Sequence, residues 1–166
     1  MKKVVKFGGS SLASAEQFKK VGNIIRKEES RRYVIPSAPG KRTPDDTKVT
    51  DMLYSCYGQA ILGEDAERDF EEQLEVIKER YNSIIRGLNL DLSLDEEFKT
   101  IRTNFSKKIG RDYAASRGEY LNGIIMAAYL GYEFIDAAEV IVFDENGNFD
   151  GDETHKILSE RLENTE

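Results

Sequence analysis

The stretch that decides the fold is KVVKFGGSSL, residues 3–12, close to the start of the chain. Its first half is rich in β-branched residues, which is typical of a short strand. The paired glycines Gly8 and Gly9 follow, and an amphipathic run begins at about Ala15. The pattern predicts a strand, a glycine turn and a helix, with Lys6 two residues before the glycines.

The glycine turn has two interpretations. Glycines let backbone N–H groups approach a ligand closely, and a helix N-terminus favours anions. Lys6 adds a positive charge beside Gly8, Gly9 and the hydroxyl of Ser10, so the stretch would form a phosphate cradle. Strand-to-helix turns also use glycine for purely steric reasons. Both interpretations fit this stretch taken alone.

The composition predicts one compact, helix-rich and cytoplasmic domain. The chain has 166 residues, of which 39% are hydrophobic and 33% charged, so a substantial core is possible. A net charge of −7 argues against general nucleic-acid binding. The single cysteine, Cys56, excludes an intrachain disulfide and fits a reducing compartment. No apolar run approaches the ~20 residues of a membrane span, and no signal peptide follows Met1.

The first elements predict a parallel crossover. Ser14 and Gln17 stand at the spacing of a capping box, and a helix follows them. Residues 33–35 form a second short strand, which ends in a small-residue turn at residues 36–40. A strand, helix and strand within this length imply a right-handed crossover, so both strands end at the same edge of the sheet. Open α/β sheets bind ligands at that edge.

The rest of the chain predicts an α/β fold with a helical excursion between about residues 50 and 110. Apolar residues at spacings of three and four predict helices that begin near residues 49, 64, 96 and 112–116. The charged helix at 64–88 would be either an interface or a solvated face, and we expect the solvated face. Two further strands are expected at 132–136 and 140–143, before an acidic loop and a short helix from about 154 to 162.

Spacing excludes two better-known kinds of site. The segment GKRT at 40–43 fails as a Walker-A loop, because Ile35 stands where that loop needs a glycine. The loop from residue 144 fails as a calcium loop, since Phe149 and His155 occupy the positions of its glycine and glutamate. Cys56 lies on an apolar helix face and is expected in the core. We therefore expect no metal site formed by side chains.

Polar residues remain at the ends of three apolar elements: residues 6–10, 37–40 and 116–119. The last segment opens an apolar helix, so we expect Glu119 to point from the helix N-terminus toward the strand ends. A first-turn glutamate also simply complements the helix dipole, which is the alternative explanation. Together the three segments describe a cleft with a lysine, small hydroxyl donors and one carboxylate.

The same segments resemble the signatures of the aspartate kinases, within the amino-acid kinase superfamily. The family patterns are K-F-G-G-[TS]-S, V-V-S-A, V-T-[DN]-x-L, S-x-G-E with a strand after it, and T-D-x-x-[FY]-G-N. They are similar, in that order, to KFGGSS at 6–11, VIPSA at 34–38, VTDML at 49–53, SRGE at 116–119 with IDA at 135–137, and FDENGNF at 143–149. The resemblance covers nearly the whole chain.

The resemblance implies a three-layer α/β/α fold with a mainly parallel sheet, similar to carbamate kinases, of which this chain would form part. The loop at residues 39–48 is longer than is usual in the family, and no G-R-G-G-S-D segment occurs before Glu166. Residues 1–166 would therefore be the N-terminal, amino-acid-binding part of the catalytic domain. The nucleotide-binding half and the regulatory ACT domains would be absent, and we expect the chain alone to have little kinase activity.

The implied reaction is ATP-dependent phosphorylation of the side-chain carboxylate of L-aspartate, giving 4-phospho-L-aspartate. This is the first step toward lysine, threonine and methionine. The nucleophile has a reference pKa of ~3.9 and is already ionised at neutral pH, so no general base is needed. Catalysis must come from positioning and from neutralising charge on the transferred group. The resemblance assigns this role to Lys6, Gly8 and Gly9, which with Ser10 would also hold the phosphates of ATP.

The resemblance also implies which residues bind the substrate. Glu119 would pair with its α-ammonium group, while Ser37 and Thr50 would hydrogen-bond to substrate or phosphate. Mg²⁺ would arrive with ATP, and the full-length protein would be a homo-oligomer. Two alternatives stay open: another kinase of the superfamily, acting on a different amino acid or a carbamate, or a non-catalytic amino-acid-binding module.

Overall fold

The computed structural model of the protein describes residues 1–163. They fall into two compact units: the first is Met1–Tyr132 and the second begins at Glu133. Among the described residues, none of the helices combines the length and the apolar character that a bilayer span requires.

The first unit opens with the predicted crossover. Strand β1 (Lys3–Phe7) leads into a 3₁₀ turn (Gly9–Leu12), helix α1 (Ala15–Arg26) and strand β2 (Arg31–Pro36). Ser14 caps α1, because its hydroxyl oxygen accepts a hydrogen bond from the N–H of Gln17 at 3.4 Å. The two strands pair in parallel, with Lys6 opposite Ile35, so both end at one edge of the sheet as predicted.

Four helices complete the first unit. They are α2 (Val49–Leu62), α3 (Glu67–Gly87), α4 (Asp95–Ser106) and α5 (Arg111–Leu130). A second 3₁₀ turn (Gly63–Ala66) joins α2 to α3, so the long helix begins three residues later than residue 64. Gly110 has a φ of 143°, which only glycine adopts easily, and this break separates α4 from α5.

The helices between residues 49 and 130 contribute most of the core. Their apolar stripes meet those of α1 and the 3₁₀ turn, and aromatic rings pack at the centre: Tyr57 lies edge-on to Phe105 at 5.3 Å between ring centroids. Cys56 is fully buried among them, as predicted, and burial raises its pKa to about 12. Most charged residues of α3 lie on its outer face, with Arg80 as the exception.

The second unit is small. It contains the short helix α6 (Ala137–Val140), strands β3 (Val142–Phe143) and β4 (Phe149–Asp150), and helix α7 (Gly151–Glu163). The strands form an antiparallel hairpin, in which the ring centroids of Phe143 and Phe149 lie 6.2 Å apart. The side chain of Thr154 ties α7 to this hairpin by accepting the N–H of Val142 at 2.9 Å.

The predicted strand at 132–136 is wrong, and the one at 140–143 is reduced to two residues. No strand pairing involves 132–136 within residues 1–163, and Asp136 instead caps α6 by accepting the N–H of Ala138 at 3.0 Å. Apolar, β-prone residues become a strand only where a neighbouring strand can pair with them. The described fold is therefore mixed α/β, mostly helical, with two small two-stranded sheets.

Candidate functional site

Two backbone turns meet where β1 and β2 end. The first turn is the 3₁₀ turn Gly9–Leu12, and the second turn is the segment at residues 37–40. We call the two together the two-turn corner. The N–H of Ser37 donates to the carbonyl of Phe7 at 3.0 Å, which extends the sheet ladder by one bond. The N–H of Gly40 then donates to the carbonyl of Gly9 at 2.8 Å. The turns therefore touch backbone to backbone.

This close approach explains two glycines sterically. A Cβ atom added to Gly9 would lie 2.8 Å from the carbonyl oxygen of Ala38, and one added to Gly40 would lie 2.6 Å from the carbonyl carbon of Gly9. Contacts this short do not occur between real Cβ atoms and backbone, so both positions exclude any larger residue. For Gly9, the steric interpretation of the glycine turn is therefore confirmed.

Gly8 differs from Gly9. Its φ of −74° is accessible to any residue, and nothing among the described residues lies within 4 Å of an added Cβ atom. Gly8 is also exposed. Neither backbone conformation nor packing inside the chain requires a glycine there, so the absent side chain leaves this backbone open to a molecule from outside.

The corner presents donors and a cation. The N–H groups of Gly9 and Ser10 stand at the start of a 3₁₀ turn, and neither finds an acceptor within residues 1–163. Lys6 is exposed at the end of β1, and its ammonium group forms no ion pair within the described residues. Free N–H groups next to a lysine form an arrangement that binds anions such as phosphate.

Helix α5 packs directly against the second turn. A Cβ atom on Gly118 would lie 2.8 Å from the Cβ of Ala38, so helix and turn are in van der Waals contact. The side-chain N–H of Asn122 donates to the carbonyl of Ser37 at 2.7 Å. Glu119 follows Gly118 and is exposed, which puts a carboxylate on the helix that covers the end of β2.

Glu119 does not lie at a helix N-terminus, contrary to the sequence prediction. Helix α5 begins at Arg111, two turns earlier, so Glu119 is an interior residue of the helix. Ser116 lies within the helix too, and its hydroxyl donates to the carbonyl of Tyr113 at 2.8 Å. The helix-dipole explanation for Glu119 fails for the same reason.

Tyr81 supports the α5 side of the corner from below the surface. It is fully buried on α3, and its hydroxyl donates to the carbonyl of Gly118 at 2.7 Å. Burial raises the pKa of Tyr81 well above its ordinary value, and the nearby charge of Glu119 raises it further. The phenol therefore stays protonated and remains a donor.

Thr50 lies in the first turn of α2. The residue before it, Val49, donates its N–H to the carbonyl of Pro39 at 3.1 Å, so the start of α2 is joined to the second turn of the corner. Thr50 is half-buried.

Arg80 is a residue of the site region that the sequence prediction missed. Only 4% of it is exposed, and its guanidinium donates to the carbonyls of Gly40 at 2.7 Å and Ala13 at 3.2 Å. It also pairs with Asp46 at 2.7 Å. A signal was present, because Arg80 stands three residues after the buried Ile77, where the helical period of α3 calls for an apolar side chain.

Asp46 holds the loop between the second turn and α2. Its carboxylate accepts from the side chain of Arg42 at 2.7 and 3.0 Å and from the backbone N–H groups of Arg42 at 2.8 Å and Thr47 at 3.0 Å. The hydrogen bonds from Arg42, with that from Arg80, hold the pKa of Asp46 well below its usual range. The carboxylate is therefore ionised at neutral pH.

Within residues 1–163, no group of three or more histidine, cysteine, aspartate or glutamate side chains is arranged to hold a metal ion.

Residues 1–164 match the model of the amino acid kinase family. The chain belongs to this family. Among curated members, it is 37% identical over 159 residues to Aspartokinase 3 of Bacillus subtilis, covering 88% of this chain and 34% of that protein. It is 33% identical over 151 residues to the chloroplastic Aspartokinase 1 of Arabidopsis thaliana, covering 85% and 25%. The predicted resemblance to aspartate kinases is confirmed.

Solved structures of this family agree with the fold. The aspartate kinase of Clostridium acetobutylicum, described as an allosteric enzyme, superposes with a TM-score of 0.91 at 46% identity, over 99% of this chain and 37% of that one. Escherichia coli aspartokinase III, solved in complex with aspartate and ADP, superposes with a TM-score of 0.75 over 98% of this chain and 38% of that one. At 18% identity, the second match shows the fold alone. The chain spans between a quarter and about 38% of the length of these relatives.

Proposed function

We propose that this chain forms the amino-acid-binding part of an aspartate kinase. The enzyme would transfer the γ-phosphoryl group of ATP to the side-chain carboxylate of L-aspartate, giving 4-phospho-L-aspartate and ADP. Similarity to aspartokinases supports the reaction, and the E. coli relative binds both aspartate and ADP. The observation that carries the proposal is the two-turn corner, where Lys6, the open backbone at Gly8 and the free N–H groups of Gly9 and Ser10 can receive a phosphoryl group.

The residues of the corner would act on charge and position. Lys6 and the N–H groups of Gly9 and Ser10 would neutralise charge on the phosphoryl group as it passes between two anionic oxygens. No proton has to be removed, because the attacking carboxylate is ionised at neutral pH. The carboxylate of Glu119 would orient the substrate by pairing with the α-ammonium group of L-aspartate.

Ser37 and Thr50 would donate hydrogen bonds to the substrate or to phosphate. Both residues are half-buried. The backbone N–H of Ser37 bonds to β1, and that of Val49, the residue before Thr50, bonds to the second turn. Mg²⁺ would enter bound to ATP.

The proposal also covers the enzyme of which this chain would form part. Residues 1–166 would supply the amino-acid-binding part of a three-layer α/β/α catalytic domain. A nucleotide-binding half and regulatory ACT domains would complete a cytoplasmic homo-oligomer. The extent of the match supports this arrangement, since the relatives are about three to four times as long as their matched segments.

A chimeric enzyme tests the function. This chain would replace the matching segment of the C. acetobutylicum aspartate kinase, and ADP formation would be measured with and without L-aspartate. The 46% identity and the TM-score of 0.91 favour a folded chimera. We expect aspartate-dependent ADP release. A folded chimera that binds ATP but forms no ADP with L-aspartate would contradict the function.

The role of Lys6 is tested in the same chimera. Lys6→Ala removes a charge at the transferred group, so we expect turnover to fall about 100-fold or more, while the affinity for L-aspartate changes by less than about threefold. The matched control is Lys19→Ala, which removes an exposed lysine on α1. Near-normal turnover in Lys6→Ala would refute the assigned role.

The alternatives are separated by substrate. Calorimetry of the chimera with L-aspartate, L-glutamate and N-acetyl-L-aspartate tests which ligands bind. N-acetyl-L-aspartate lacks the α-ammonium group that Glu119 would contact. We expect clear binding of L-aspartate only. Binding of L-aspartate without any phosphoryl transfer would favour the non-catalytic module. The 166-residue chain alone is expected to release no more ADP with L-aspartate than without it.

A further inference from the structure

Helix α3 buries a charged side chain on its apolar face. Ile77, Arg80 and Ile84 follow one another at spacings of three and four, and the side chain of Arg80 is only 3% exposed. An arginine in such a position is unusual, because charged side chains are almost never fully buried unless they are paired. What Arg80 contacts therefore has to explain its presence.

The contacts of Arg80 join two segments that are far apart in the sequence. One terminal nitrogen, Nη2, donates to the carbonyl of Ala13, directly after the first turn, and to that of Gly40, in the second turn. The other, Nη1, pairs with Asp46 in the loop that follows. A planar guanidinium can reach three acceptors in fixed directions, which a lysine ammonium cannot do from the same place.

Stability alone does not explain an arginine at this position. Its Nε atom is buried and has no hydrogen-bond partner among the described residues. A buried guanidinium also loses its hydration, and replacing a buried ion pair with apolar side chains often leaves a protein equally or more stable. What an apolar residue cannot reproduce is the pair of hydrogen bonds to Ala13 and Gly40.

We propose that Arg80 is a positioning residue for the two-turn corner. It sets the separation of the two turns through the carbonyls of Ala13 and Gly40, and through Asp46 it anchors the loop at residues 41–48. The corner is thereby preorganised before any ligand binds, and misplacing a phosphate site by an ångström is enough to slow catalysis. This role rests on the proposed function, because the corner receives a phosphoryl group only in the proposed kinase reaction.

Hydrogen exchange of the 166-residue chain tests the structural half of this proposal. The N–H of Gly40 bonds to Gly9 across the corner, so its exchange reports the contact between the turns. In Arg80→Lys we expect this N–H to exchange at least about 10-fold faster, because the opening of the corner becomes easier. The matched control is Arg86→Lys, on the exposed face of the same helix, which should leave the rate within about twofold.

A second pair of variants separates positioning from general loosening. Ile77→Val removes one methylene group from the core next to Arg80 and should not affect Gly40 more than other core amides. Asp46→Ala keeps Arg80 and removes its partner, so the N–H of Arg42, which donates to Asp46, should exchange faster together with that of Gly40. The proposal is overturned if Gly40 exchanges at the wild-type rate in both Arg80→Lys and Asp46→Ala. It is also overturned if Arg80→Lys accelerates all core amides equally, as a purely structural residue would.

Kinetics of the chimera test the functional half. Arg80→Lys should lower kcat about 10-fold while the KM for L-aspartate changes less than about threefold, since the two-turn corner is displaced whereas Glu119, the proposed contact of the α-ammonium group, lies on α5. Arg86→Lys should change neither. An unchanged kcat in Arg80→Lys would overturn the positioning role. If the unsubstituted chimera itself lacks activity, the proposed function fails, and the exchange rates at Gly40 still decide what Arg80 does.

Discussion

The adjacent glycines Gly8 and Gly9, at the start of the first turn, are expected to respond differently to substitution by alanine. In Gly9→Ala the new methyl group would lie 2.8 Å from the carbonyl oxygen of Ala38, 3.1 Å from the nitrogen of Gly40 and 3.2 Å from its Cα atom. All three are backbone atoms, so no side-chain rotation can relieve the contact. The two turns must separate, and the hydrogen bond from Gly40 to Gly9 must lengthen beyond its 2.8 Å.

The expected loss of stability follows from two terms. Overpacking against backbone typically costs ~1–3 kcal/mol, and weakening one buried backbone hydrogen bond adds ~0.5–1.5 kcal/mol. We expect Gly9→Ala to lower the free energy of unfolding by about 2–3 kcal/mol. For a unit of this size that corresponds to a Tm lower by roughly 6–10 °C.

Gly8→Ala is the matched control. Its φ of −74° and ψ of 164° suit alanine, and no atom of the described residues lies within 4 Å of the new methyl group. Stability should stay constant or rise by up to about 1 kcal/mol, because alanine restricts the unfolded chain. In the chimeric kinase, however, Gly8→Ala should weaken ATP binding or turnover, since the methyl group stands where a phosphate would approach.

Thermal and urea denaturation followed by circular dichroism at 222 nm measure both variants. A Gly9→Ala chain with a Tm within about 1 °C of wild type would refute the geometry of the two-turn corner. Gly8→Ala with wild-type ATP affinity and turnover would leave the geometry intact and contradict the phosphate role of that backbone.

Three further predictions concern Tyr81, Cys56 and Asp46. Tyr81→Phe deletes the hydroxyl that donates to Gly118, so urea denaturation should show a loss of about 1–2 kcal/mol. Cys56 should react with a thiol reagent at pH 8 at least about 100-fold more slowly in the folded chain than in urea, because burial raises its pKa to about 12. The pKa of Asp46 is lowered on folding, so its contribution to stability is present above its unfolded pKa of ~3.9 and is lost as pH falls below that value. Urea midpoints of Asp46→Asn should therefore fall less than those of wild type between pH 5 and about pH 2.

Each of these has an outcome that contradicts it. Wild-type stability in Tyr81→Phe would mean that the hydrogen bond from the phenol to the carbonyl of Gly118 does not stabilise the fold. Fast labelling of Cys56 in the folded chain would mean that α2 opens locally. Parallel pH profiles for wild type and Asp46→Asn would mean that the carboxylate is not held by its arginines in solution.

The sequence was sufficient to predict those parts of the fold in which a local pattern of residues determines the local structure. Ser14 caps α1 as its spacing predicts, and the apolar residues of α2 to α5 form the expected stripes. Both features depend on residues within one or two helical turns. The parallel pairing of β1 with β2 was also predictable, because a short crossover leaves one arrangement.

The errors occur where a distant segment decides the outcome. Residues 132–136 are β-prone, but strand formation requires a pairing partner that a local pattern cannot reveal. For α5 the sequence left the start open between residues 112 and 116, whereas the helix begins at Arg111 and the hydroxyl of Ser116 bonds within it. The steric need for glycine at position 9 could not be predicted from the local pattern either, because it arises from the contact with Gly40 in a distant turn.

The supports of the two-turn corner are buried, whereas the groups proposed to touch the reactants are exposed or half-buried. Lys6, Ser10 and Glu119 lie at the surface, while Arg80 and Asn122 are almost wholly covered. The exposed groups come from segments that a signature can identify, because each acts through its own chemistry. The buried ones act through carbonyls of other segments, at Gly40 and Ser37, so only the fold reveals them.

This division has a consequence for variants of the chain. Replacing an exposed group should remove its chemistry and leave the fold intact, whereas replacing a buried support should displace several exposed groups at once. Asn122 offers a test alongside Arg80, because its Nδ2 donates to Ser37 while its Oδ1 has no partner among the described residues. Asn122→Leu would remove the hydrogen bond without opening a cavity. If Asn122 holds the second turn in place, the substitution should alter the structure around Ser37 while lowering the free energy of unfolding only slightly.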